Sequence, residues 1–180
     1  MEACLPENIR IRRAENTPQV VEALADVLQD CVEGGASVSF LLPLPRARAV
    51  AFWQGVLANA AQGDRVVLVA EDLTSNSIVG TVQVVWAGPE NQPHRADVAK
   101  MLVHRRARRR GVGGLLLKGA EAAAKDAGKT LLVLDTVTGA DGDRLYARHG
   151  WQRVGVIPKY ALWPQGGLCS TTVFYRDLSV

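Results

Sequence analysis

The chain has 180 residues, with 21 Lys and Arg against 18 Asp and Glu, for a net charge of +3. Apolar residues make up 48% and charged ones 22%, which excludes a disordered or collagen-like chain and fits an ordinary globular one. One domain over residues 1–180 is the natural expectation at this length, and no apolar run approaches the roughly 18 residues that a membrane span needs.

The opening Met1-Glu2-Ala3-Cys4-Leu5-Pro6 lacks a basic stretch followed by an apolar one, so no signal peptide is expected. Cys4, Cys31 and Cys169 are scattered without a CxxC spacing, which speaks against a disulfide framework or a cysteine zinc site. His94, His104 and His149 are equally dispersed, and no metal is expected. A reducing cytoplasm is the simplest location.

In chain order, residues 8–13 alternate Ile9 and Ile11 with polar neighbours and read as a first strand. Thr17-Pro18 is a helix start, a capping hydroxyl followed by proline at the first helical position. Val20, Leu24, Val27, Leu28 and Cys31 continue it as an apolar stripe that Gly34 ends. Residues 37–45 form a proline-broken loop. A second helix over 46–62 carries Val50, Trp53, Val56, Leu57 and Ala60 on its apolar face. Residues 65–71 and 78–86 read as a hairpin, and 95–103 as the next strand. A helix spans 113–127, a buried strand 131–136, a short helix 141–149, and two last strands 151–161 and 171–176. The order is β-α-α-β-β-β-α-β-α-β-β. This is an α/β fold: a mixed sheet with helices on both faces, whose single β-α-β crossover is parallel and right-handed.

The informative stretch is residues 100–117. A strand ends near Val103, and a loop rich in arginine and glycine leads into a helix. Between Lys100 and Lys118 lie seven basic residues and no acidic one, a local +7 that leaves −4 for the rest. Free N–H groups and the helix dipole favour an anion at such a helix start. The spacing fails both G-x-x-x-x-G-K-[ST] and G-x-G-x-x-G. It matches R-x-x-G-x-G, from Arg108 through Gly111 to Gly113. Downstream, Leu134-Asp135-Thr136 ends a strand, and Leu145-Tyr146-Ala147-Arg148-His149-Gly150-Trp151 follows.

Together these motifs resemble the GCN5-related N-acetyltransferases. Residues 33–40, 94–103, 134–136 and 153–155, with Pro158 and Tyr160, are similar to their tabtoxin-resistance group. The resemblance implies a splayed central sheet and transfer of the acetyl group of acetyl-CoA to the amine of a small molecule. That acceptor is an amino acid or an amino-bearing toxin or antibiotic. It implies coenzyme binding by Met101, Leu102, Val103, Arg108, Arg109, Arg110, Gly111, Val112, Gly113, Gly114 and Thr136. Tyr146 is then the acid beside the leaving sulfur. Asp97 and Asp135 are candidates for the base, directly or through water. Simple strand alternation puts Asp97, Ala99 and Met101 on one face. Phe40 and Trp86 are expected on the acceptor side. Dimers are common in that family, so a second copy of the chain is a candidate partner. Two other readings compete: an acyl-CoA sensor of the same fold without catalysis, and a nucleic-acid binder using the arginines. The compact, local charge favours a small polyanion over nucleic acid.

Overall fold

The computed structural model describes residues 8–179; Cys4 and the other opening residues read for a signal peptide lie outside them. β1 (Ile9–Arg13) leads to α1 (Pro18–Glu33) and α2 (Arg46–Ala61). β2 (Arg65–Asp72), β3 (Ser77–Trp86) and β4 (Arg95–Val103) form an antiparallel meander. A 3-10 turn (Arg105–Ala107), within the stretch expected as loop, then enters α3 (Val112–Asp126). β5 (Leu131–Val137), α4 (Asp141–Arg148), β6 (Gln152–Leu162) and β7 (Leu168–Asp177) complete the fold. The seven strands form one sheet in the order β1-β2-β3-β4-β5-β7-β6. β4–β5 is its parallel pair, joined by the α3 crossover, as expected.

Local chemistry explains the element ends. The Thr17 hydroxyl accepts the Val20 N–H, and Pro18 sits in the first turn, so α1 starts where the sequence places it. β7 begins at Leu168, three residues earlier than expected. Gly166 and Gly167, both at positive φ, make a tight turn that lets Leu168 pair with Leu162.

Each face of the sheet has its own core. α1 and α2 cover one face, burying Leu24, Leu28, Trp53 and Leu57 against Val67, Val69 and Leu102. α3 and α4 cover the other, burying Leu116, Leu117 and Tyr146 against Val82, Val98, Leu132, Leu134 and Phe174. Burying each large side chain contributes about 1.5–3 kcal/mol, so both faces hold the sheet rigid beneath its central strands. Cys31 and Cys169 are buried and free. No helix among the described residues is long and apolar enough to cross a membrane.

Candidate active site

β4 and β5 pair only where Arg95, Ala96 and Asp97 face Leu131, Leu132 and Val133. Beyond that rung β4 continues to Val103 and β5 to Val137 without pairing, so the sheet splits between them. The cause lies in β4. Thr81 faces Leu102 while Gln83 faces Ala99, so β4 carries one residue more than β3. Lys100 takes up the excess in a left-handed conformation, φ 49°. Such a bulge bends its strand and raises its twist. β5 meanwhile stays paired with β7 as far as Val137.

The bulge overturns the shared face expected for Asp97, Ala99 and Met101. Before it, Ala96 and Val98 point into the α3–α4 core, so Asp97 and Ala99 face α1 and α2. After it the parity is reversed: Met101 and Val103 pack on the α3–α4 core while Leu102 enters the α1–α2 core. His104 N–H bonds the Val79 carbonyl of β3. By ladder alternation Leu102 bonds β3 as well, and the polar groups of Val103 turn towards the opening. The Val103 carbonyl accepts from Arg108 Nε at 3.3 Å and lies 3.5 Å from Cys31 Sγ.

At the end of the opening, Arg109 (φ 60°) and Gly111 (φ 75°) curl the chain into α3. Leu115 makes the first helical bond, to the Gly111 carbonyl. Among the described residues, the amides of Arg109, Arg110, Gly111, Val112, Gly113 and Gly114 have no backbone partner. Clustered amides at a helix start form an anion cradle. Gly113 and Gly114 have a second reason to be small. A Cβ on Gly113 would lie 3.2 Å from Leu145, and one on Gly114 would lie 2.9 Å from His149 Nε2, so α4 packs directly on the first turn of α3.

The arginines are less free than their run suggests. Arg105 pairs with Asp30 and Glu33, and Arg110 with Asp72. Arg106 bonds Ser77 and the Ile78 carbonyl. Asp30 is drawn below the usual carboxylate range: burial pushes it up, but two hydrogen bonds from Arg105 outweigh that. Arg109 makes no side-chain bond among the described residues.

The two candidate carboxylates stand differently. Asp97 lies on the last paired rung, and Arg95 holds its Oδ1 at 2.5 Å. Asp135 lies beyond that rung, beside the split, and accepts a 2.9 Å hydrogen bond from Thr171. Tyr146 rises from α4 between Trp151 and Phe174. It is 5% exposed, and its hydroxyl has no protein partner among the described residues. Burial pushes the phenol well above its ordinary value, and the Asp135 charge adds to this. Thr136 lies under the start of α4, where a Cβ on Gly142 would sit 2.5 Å from its Oγ1. Its carbonyl lies 2.9 Å from the same Thr171 hydroxyl and shares its one proton with Asp135.

The model of the acetyltransferase (GNAT) domain matches residues 63–153, just over half of the chain. The chain belongs to the GNAT acetyltransferase family. Solved structures share the fold. A GCN5-related N-acetyltransferase from Kribbella flavida is 22% identical with a TM-score of 0.79, covering 96% of this chain and 99% of that one. Ribosomal-protein-alanine N-acetyltransferase from Brucella melitensis is 20% identical, with a TM-score of 0.80 over 94% and 99%. The Salmonella typhimurium protein yncA, solved with its cofactor acetyl-CoA, is 19% identical, with a TM-score of 0.78 over 96% and 95%.

This GNAT fold brings most of the residues singled out in the sequence to the β4–β5 split, and separates one. Trp86 pairs with Ala96 at the closed end. Its indole N–H bonds the Gly63 carbonyl, and Lys129 lies over its ring, so it packs on the α3–α4 side and not over the acceptor face. Phe40 is buried in the α1–α2 core, edge-on to Phe52, with Arg48 over its ring. Sequence reasoning missed Lys100, Phe52 and Thr171. For Lys100 a signal existed. Period-2 alternation from Ala96 and Val98 assigns an inward position to a charged residue, and three apolar residues follow in a row. That conflict marks a bulge.

Proposed function

We propose that this chain is a single catalytic domain that transfers the acetyl group of acetyl-CoA to the amine of a small molecule, by direct attack. The observation that carries this reading is the split between β4 and β5, with a cradle of unbonded amides at one end and Asp135 at its side. The amides of residues 109–114 suit a diphosphate, and the turned-out backbone of Met101 and Val103 suits the two amides of a pantetheine arm, as an added strand would. Bound there, acetyl-CoA supplies an acetyl group activated as a thioester.

The roles of the chain's own groups follow from chemistry. An acceptor amine reaches the site protonated and must lose a proton before it attacks. Asp135 stands at the split with one oxygen held by Thr171 and can take that proton directly or through water. Asp97 is less suited, because it lies on the paired rung and an arginine, Arg95, holds its Oδ1. Tyr146 keeps its proton at any ordinary pH, since burial raises it. A phenol so raised is a weaker acid than a thiol, so its role is to donate a hydrogen bond to the departing sulfur without giving up the proton. Cofactor roles for Leu102 and Arg110 shrink to packing in the α1–α2 core and pairing with Asp72.

The resemblance to the tabtoxin-resistance group makes an amino-bearing toxin one candidate acceptor, which the fold alone does not select. A thermal-shift titration tests the reading. Acetyl-CoA at 100 times its Kd is expected to stabilise the protein by about 2.7 kcal/mol, and a panel of amines then releases free thiol. Stabilisation by DNA but not by acetyl-CoA would overturn it. Binding without thiol release for any amine would favour an acyl-CoA sensor.

A further inference from the structure

The β4 bulge places Lys100 on the acceptor face. Its φ of 49° turns the side chain towards α1 and α2, where Nζ lies 3.0 Å from Ser39 Oγ and 5.7 Å from the centre of the Phe52 ring. Ser39 is itself left-handed, φ 79°. Two non-glycine residues held in that region, bonded to each other, cost of order 1–3 kcal/mol each, and such strain collects at working sites. Among the described residues Lys100 has no carboxylate within ion-pair distance. The charge that faces it is Asp135, across the split. Asp97, on the same face, is taken by Arg95. Arg48, over the Phe40 ring, adds a second cation nearby.

A bare ammonium entering this face would meet Asp135 favourably and Lys100 unfavourably. An acceptor that also carries a carboxylate meets both favourably. We propose that Lys100 is the specificity-determining residue that binds a carboxylate of the acceptor, so that the substrate class is amino acids: amine towards Asp135, carboxylate towards Lys100 and Ser39. Desolvation lowers the Lys100 ammonium from its ordinary value, and a bound carboxylate would favour its charged form. The inference rests on the acetyl-transfer reading and deepens it.

The test compares α-, β- and ω-amino acids with their carboxamides, which differ only in the charge at that end, using free-thiol release by the full-length protein. The best amino acid is expected to exceed its amide in kcat/KM by about 10-fold or more, the worth of a hydrogen bond to a charged group. In Lys100→Met the ratio falls towards one through a raised KM for the acid, while kcat and the KM for acetyl-CoA hold. Lys100→Arg retains part of the preference. Equal rates for acid and amide in the unaltered protein, or an unchanged ratio in Lys100→Met with only a lowered Tm, would overturn the proposal. The second outcome would make Lys100 a tie for the Ser39 loop. Thiol release without acid preference therefore sinks this inference alone, whereas no thiol release for any amine sinks acetyl transfer. Calorimetric binding of the same acid–amide pairs, with CoA present, reads the preference even then.

Discussion

The two halves of the site are built from different materials. The donor half, from Val103 to Gly114, is backbone: free amides, two left-handed residues and a helix start. The acceptor half is side chains, with Lys100 from β4, Asp135 from β5, Thr171 from β7 and Ser39 and Phe52 from the α1–α2 layer. Backbone chemistry is written locally, because a glycine at a left-handed position and an uncapped helix start are properties of a few adjacent residues. Side-chain chemistry across five elements depends on pairing and parity, and one bulge rearranges it. Substitutions in the two halves should therefore fail differently, the first through acetyl-CoA and the second through the amine.

Asp135 aside, the largest expected effect lies in the donor half. Gly111→Val forces a β-branched residue to φ 75°, at a cost of about 1–2 kcal/mol. The KM for acetyl-CoA should rise about 10-fold with the amine KM unchanged. A rise in the amine KM instead would erase the division between the halves. Tyr146→Phe comes next. It removes one hydrogen bond to a developing thiolate, so kcat should fall about 10-fold with both KM values near their starting points. Thermal stability should not drop, because the hydroxyl of Tyr146 has no protein partner among the described residues. A lowered Tm with normal kcat would make Tyr146 a packing residue.

Smaller still is Arg110→Ala. Arg110 is half-exposed and paired at 2.8 Å with the buried carboxylate of Asp72, so its guanidinium is already engaged. The KM for acetyl-CoA should change by less than about 5-fold, against a much larger change if this guanidinium holds phosphate. The smallest effect is on stability at low pH. Arg110 holds Asp72, and Arg10 with Arg12 holds Glu71, below the usual carboxylate range. Depressed carboxylates stabilise the fold above their unfolded values and lose that contribution as pH falls through the folded ones. The Tm should therefore drop in acid below about pH 4, and the Asp72→Asn variant should lose less there than the unaltered protein.

Elements with strong periodicity were legible in the sequence. α1, with its Thr17 cap and stripe through Leu24 and Leu28, and the β2–β3 hairpin fall where expected, as does the order of all eleven elements. The R-x-x-G-x-G loop was legible for the same local reason. What escaped was long-range. The partners of the arginines, Asp30 and Asp72, lie 75 and 38 residues away in sequence, so a run with a local charge of +7 is partly neutralised in space. Trp86 was misplaced because nothing nearby says which end of the split it occupies. Asp97 and Asp135 looked equivalent until pairing put one on the last rung and the other beyond it.

Acetyl transfer at the β4–β5 split with Asp135 as the group that receives the amine proton is tested most directly by the steady-state kinetics of Asp135→Asn. At saturating amine and acetyl-CoA, kcat is expected to fall about 100-fold or more, with the KM for acetyl-CoA unchanged and Asp97→Asn close to the unaltered protein. An unchanged kcat in Asp135→Asn, or the same fall in Asp97→Asn alone, would contradict it.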